Sequence, residues 1–185
     1  MRGLLCGYSP DEIAEKIHKD ISRIRPQFER LSPLGKETLY GLALERHPVQ
    51  LDTLKENLWS RVSGSKLIQA IHSLLRRSLV EKATENQQVW FSLQPVVMKY
   101  IRDRLIEQIC QDVLAVLSQR SLSCPSLLGS RLILQFQSRR QSDYKAANYR
   151  SLLEAIETKL RSLFRSENSV SLEEVLEQIL IAIDS

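Results

Sequence analysis

Cysteine is scarce and scattered. Cys6, Cys110 and Cys124 are the only three in 185 residues, and none stands at C-x-x-C spacing. No disulfide framework organises such a chain, and a reducing compartment suits it. Cys110 falls mid-helix in an apolar context, where a thiol reads as a small hydrophobe. Histidine is as sparse: His18, His47 and His72 lie far apart, and no pair has metal-ligand spacing. The six glycines are dispersed, with no G-x-x-x-x-G-K-[ST] loop to cradle a phosphate. No apolar run approaches the roughly 18 residues that a membrane helix needs. Met1 to Tyr8 is too short, with too little apolar core, for a secretory signal. These absences predict a cytoplasmic chain with no membrane span.

The charge is equally undistinguished. The net charge of +4 and pI near 9.0 are spread thinly. Residues 1–27 hold five basic and four acidic groups, residues 28–93 nine and seven, and residues 94–185 twelve and eleven. The densest basic stretch, Arg131 to Arg150, reads first as a solvated helix face and loop. Carboxylates sit among basic residues on helix surfaces, where i,i+4 pairing accounts for them. No Ser/His/Asp or Cys/His arrangement has motif support. The chain reads as no enzyme, with no cofactor or metal site of its own.

What the chain does contain is helix. Ser9-Pro10-Asp11-Glu12 is a strong helix start, and Ile13, Ile17, Ile21 and Ile24 follow as a narrow apolar stripe that Arg25-Pro26 is expected to end. A second start stands at Ser32-Pro33, before Leu34, Leu39, Leu42 and Ala43. Gly41 weakens that helix by roughly 1 kcal/mol against alanine, so close packing must support it. His47-Pro48 stops it. Leu51, Leu54 and Leu58 mark a short helix, and Leu67, Ile68, Ile71, Leu74 and Leu75 a longer one that Ser78 breaks. Two β-prone segments follow, Leu79 to Lys82 and Val89 to Leu93, joined by a polar turn around Glu85-Asn86. Gln94-Pro95 opens a long helix whose apolar stripe runs from Val96 to Val116.

Three short helices, a hairpin and a long closing helix predict a winged helix-turn-helix. The fold class is mainly α with a small β-hairpin, followed by a C-terminal helical region. The expected divisions are an N-terminal amphipathic helix and linker over 1–27, the winged helix over 28–118, and helices over 119–185. In the last part, Tyr144 to Phe164 reads as a helix, Arg131 to Gln137 as helix or strand, and Leu172 to Ile183 as an amphipathic helix behind the Ser171/Glu174 capping box. Ile13, Ile17 and Ile21, with Leu172, Leu176 and Ile179, are candidate interaction surfaces, because such helices need something to cover them.

A winged helix suggests DNA. The third of the short helices would enter the major groove, presenting Ser65, Gln69, His72 and Arg76, with Lys66 at its start. Only Lys66 and Arg76 bring charge, although phosphate neutralisation supplies much of such affinity. Glu81 and Glu85 on the wing oppose it. DNA contact by Lys66, Gln69, His72 and Arg76 is therefore the lesser reading.

The residues of this region also resemble a known family. Phe28-Glu29-Arg30-Leu31-Ser32-Pro33-Leu34, then Leu74-Leu75-Arg76-Arg77-Ser78-Leu79-Val80-Glu81-Lys82, then Phe91-Ser92-Leu93-Gln94-Pro95-Val96-Val97-Met98-Lys99-Tyr100 carry the likeness. They are similar to the winged-helix region of bacterial, chiefly cyanobacterial, NB-ARC-type signalling ATPases of the STAND class. There the module follows a nucleotide-binding domain and precedes WD-repeats. The resemblance is close over residues 28–112 and looser beyond.

It implies a non-catalytic regulatory and protein-interaction module that packs on an NB-ARC nucleotide-binding domain, in cis or in trans. ATP or ADP would be bound by that partner or a missing domain. Related animal and plant members sense ADP through a Met-His-Asp motif after the hairpin. The comparable positions here are Leu93, Gln94 and Pro95, so Gln94 stands where the sensing histidine would be.

Overall fold

The computed structural model describes residues 9–58, 61–119 and 143–164. They are mainly helical, with one small antiparallel hairpin. The chain forms two compact units, Met1–Arg102 and Asp103–Ser185. The expected helix over Leu172 to Ile183 and the segment Arg131 to Gln137 lie outside the described residues.

Helix α1 (Pro10–Glu29) starts where the sequence predicts. The Glu12 N–H donates to Ser9 Oγ at 3.2 Å, and the Ser9 N–H donates to the Glu12 carboxylate at 2.6 Å. The Ser9 backbone bond, and then its hydroxyl, hold the Glu12 carboxyl below its ordinary 4.5. A carboxyl depressed by folding stabilises the folded state fully above its unfolded value, and that contribution is lost as pH falls through the folded one. The Glu12 side-chain NMR titration is expected to have its midpoint below 4.5, and to move back up in Ser9→Ala.

The helix does not end at Arg25-Pro26. It runs through Pro26 to Glu29. A proline inside a helix removes a hydrogen bond and crowds the preceding turn, at about 3 kcal/mol. The burial of Ile24 and Phe28 offsets that cost. Phe28 meets Tyr40 and Tyr100 edge to face at 5.9 and 5.8 Å, and Lys36 Nζ lies 5.1 Å from its ring centre.

Helix α2 (Pro33–Glu45) is the centre of the first unit. Ser32 Oγ caps it at Gly35 N–H, 3.2 Å away, and Pro33 takes its first turn. Ten of its residues, Gly35 and Glu37 through Glu45, are buried, which is the pattern of a helix covered on all sides. Gly41 shows why the glycine is there. A Cβ at that position would stand 3.3 Å from Leu54 Cδ1, so α3 (Leu51–Asn57) lies directly on the α2 backbone.

Helix α4 (Gly64–Arg76) buries Leu67, Ile71 and Leu74. It closes with Ser78 in the left-handed region at φ 55°, Ser78 N–H donating to Leu75 O and Leu79 N–H to Leu74 O. The strands β1 (Glu81–Glu85) and β2 (Gln88–Ser92) pair from Glu81↔Ser92 to Glu85↔Gln88. β1 thus begins two residues later than Leu79 and takes in Ala83 to Glu85, which the sequence assigns to the turn. Leu79 and Val80 are buried against the core instead.

The turn is Asn86-Gln87, with φ 49° and 64°. Two consecutive left-handed residues suit the twist of a tight hairpin, and asparagine tolerates the first place. Glutamine does not suit the second. Gln87→Gly is expected to stabilise the first unit by about 1 kcal/mol in urea unfolding.

A further pairing escapes the sequence. Val49, in the link between α2 and α3, exchanges hydrogen bonds with Phe91 at 2.9 and 2.8 Å. β2 therefore lies between Val49 and β1. Gln50 Nε2 reinforces the join by donating to Gln88 Oε1 at 2.7 Å.

Helix α5 (Pro95–Gln119) begins in the first unit and continues into the second. Within the second unit, Leu105, Ile109 and Cys110 of α5 and Leu152, Ile156 and Leu160 of α6 (Asp143–Phe164) are buried. Lys159 Nζ of α6 reaches Glu107 Oε1 of α5 at 3.5 Å.

Candidate functional site

The outward side of α4 is the first candidate. Its buried positions, Leu67, Ile71 and Leu74, fix which side faces inward. Ser65, Lys66, Gln69, His72 and Arg76 are all exposed on the other. The residues picked from sequence as DNA contacts thus share one helix, Lys66 and Arg76 near its ends. Ile68 joins them. It is 41% exposed and is the exposed large hydrophobic among the described residues. The periodicity alone places Ile68 with the buried stripe, and only its solvent exposure reveals it as surface.

The neighbouring charges are few. α4 and the hairpin together expose Lys66, Arg76, Arg77 and Lys82 against Glu81 and Glu85. Four cations against two carboxylates make a weak phosphate cradle.

Gln94 is exposed in the link between β2 and α5. Its Nε2 donates to Glu81 Oε1 at 3.0 Å, so the side chain is tied back to the start of the hairpin. Ile13, Ile17 and Ile21 are half-buried along α1, which buries Ile24 and Phe28 further on. Leu172, Leu176 and Ile179 lie outside the described residues.

Two of the buried groups, Glu45 and Cys110, bear on chemistry. Glu45, at the end of α2, is 2% exposed. Its Oε1 accepts from Asn57 Nδ2 of α3, and His47 Nε2 lies 3.5 Å from its other oxygen. Enclosed in this way, the carboxylate fastens α2 to α3 rather than meeting a substrate. Cys110 is buried at 2%. Burial pushes its thiol up, with Glu107 adding to the rise and Lys159 opposing it. Because the thiolate is the reactive form, burial and the raised thiol both disfavour reaction here. Peptide mapping after iodoacetamide is expected to find Cys110 unmodified in native buffer and alkylated in urea.

Among the described residues no group of three or more His, Cys, Asp or Glu is placed to hold a metal ion. No described helix is long and apolar enough to cross a membrane.

No family model matches the chain. No solved structure matches it either. An uncharacterized WD repeat-containing protein of Nostoc sp. strain PCC 7120 is 40% identical to it over 87 residues. That match takes in 47% of this chain but spans only 7% of the other protein's length.

Proposed function

We propose that the first unit is a winged-helix module of the kind found in STAND (NB-ARC) signalling ATPases, and that it works by docking on another protein domain. The order α2, Val49, α3, α4, β1, β2 supports the winged-helix reading, with Val49 as the short first strand. The similarity to a bacterial WD repeat-containing protein fits the domain neighbourhood that the resemblance implies. The partner is an NB-ARC nucleotide-binding domain, in cis or in trans. The module is non-catalytic and cytoplasmic, and ATP or ADP binds to the partner domain. Gln94, held on Glu81, serves as a link between hairpin and α5 rather than as a direct phosphate sensor.

The observation that carries this reading is Ile68. A large aliphatic side chain exposed on α4, at the border between its buried stripe and its polar side, suits burial against a protein. A groove-reading helix needs cations there, and this one has Lys66 and Arg76 alone.

The test is calorimetric titration of the chain into a purified, ADP-loaded NB-ARC nucleotide-binding domain. Association is expected, and Ile68→Asp is expected to weaken it by about tenfold or more, as for a central contact in an interface. Ile68 is exposed, so the variant keeps its circular dichroism spectrum. Binding unchanged by Ile68→Asp, or no binding at all, would overturn the proposal.

A further inference from the structure

The hairpin has a second surface that docking through α4 does not use. Successive residues of a strand point to opposite faces. Phe91 is buried, so the face it shares with Val89, Lys82 and Thr84 is the inner one. The outer face consists of Glu81, Ala83 and Glu85 on β1, opposite Ser92, Trp90 and Gln88 on β2. Trp90 is half-buried, and its cross-strand neighbour Ala83 is exposed and adds nothing beyond a Cβ. The indole therefore meets no large side chain directly opposite it on β1. Glu81 and Glu85 stand diagonally to either side of it, and no lysine or arginine of either strand shares that face.

The edge beside this face is also open. β2 is covered on both sides, by Val49 and by β1. β1 has a neighbour on one side only among the described residues, and all five of its residues are exposed. An edge strand presents unpaired N–H and C=O groups that a further strand can meet.

We infer that this edge and outer face form a docking strip for an extended, arginine- or lysine-bearing segment of a protein partner. The partner's backbone pairs with β1 as an added strand, which supplies direction and register. Its alternate side chains then lie over the outer face. There a cation meets the Trp90 ring across Ala83 and lies between the carboxylates of Glu81 and Glu85. Glu81 uses one oxygen on Gln94 and keeps the other for this contact. Phosphate-bearing ligands are repelled by the same two carboxylates. The strip is independent of Ile68, so each surface can fail without the other.

The experiment is an NMR titration of the full ¹⁵N-labelled chain with a short synthetic peptide of alternating arginine and valine. Saturable shifts are expected in the amides of residues 81–85 and in the Trp90 indole N–H. Glu81→Lys with Glu85→Lys is expected to weaken binding by about tenfold or more, since both the charge pairing and the cation's seat on the ring are disturbed. These residues are exposed, so the fold is retained. The same peptide N-methylated at alternate amides is expected to lose binding, and Ile68→Asp to leave it unchanged. The inference is overturned if the shifts fall on α4, if the N-methylated peptide binds equally well, or if a peptide with glutamate in place of arginine binds as tightly.

Discussion

Phe28→Ala is expected to lower the stability of the first unit by about 3–5 kcal/mol, the range for removing a buried aromatic ring. The effect is large because one side chain joins three helices. Phe28 extends from the last turn of α1, is 2% exposed, and packs edge to face on Tyr40 of α2 and Tyr100 of α5. Lys36, which pairs with Glu29 at 3.7 Å and lies over the Phe28 ring, secures the same corner from outside. Without the ring, Pro26 has little left to hold it in a helical turn. Urea unfolding followed by circular dichroism reads the loss. Phe28→Leu refills much of the volume and is expected to cost clearly less. Equal costs for the two variants would contradict the joining role.

Asn57→Ala is expected to cost about 2–3 kcal/mol, as when a buried charged acceptor loses its donor. Asn57 and Glu45 are each 2% exposed, and Asn57 Nδ2 donates to Glu45 Oε1. The variant leaves that oxygen enclosed, with His47 3.5 Å from the other oxygen. Asn57→Asp is expected to cost more, because it sets a second carboxylate against the first. Equilibrium unfolding of both variants checks the order. A loss under 0.5 kcal/mol in Asn57→Ala, the usual bound for a surface change, would show that Glu45 does not depend on this bond.

What the sequence made legible was local. Ser9 with Glu12 and Ser32 with Pro33 announce their helices because a cap is written within four residues. The apolar stripe behind Pro95 and the run from Tyr144 to Phe164 announce theirs by period. Pro26 misleads for the opposite reason. Its local preference is to end a helix, and the packing of Phe28, made by residues distant in sequence, overrides it. Val49 is invisible because one bridging residue has no period. Ala83 and Glu85 have little β-propensity, Thr84 alone does not mark a strand, and the three become strand by pairing with β2.

The candidate site follows the same division. The polar stripe of α4 could be read in advance, since helical spacing alone gathers Lys66, Gln69, His72 and Arg76. Ile68 could not, because its spacing assigns it to the core. Trp90 could be placed on an outer face only once the register with β1 was known.

The most direct test of α4 as a protein-docking surface is hydrogen–deuterium exchange of the full chain, alone and with an ADP-loaded NB-ARC nucleotide-binding domain or duplex DNA. Exchange is expected to slow along α4 with the protein domain, to lose that protection in Ile68→Asp, and to be unaffected by DNA. Protection of α4 by DNA alone, weakened by salt and by Arg76→Ala, would contradict it.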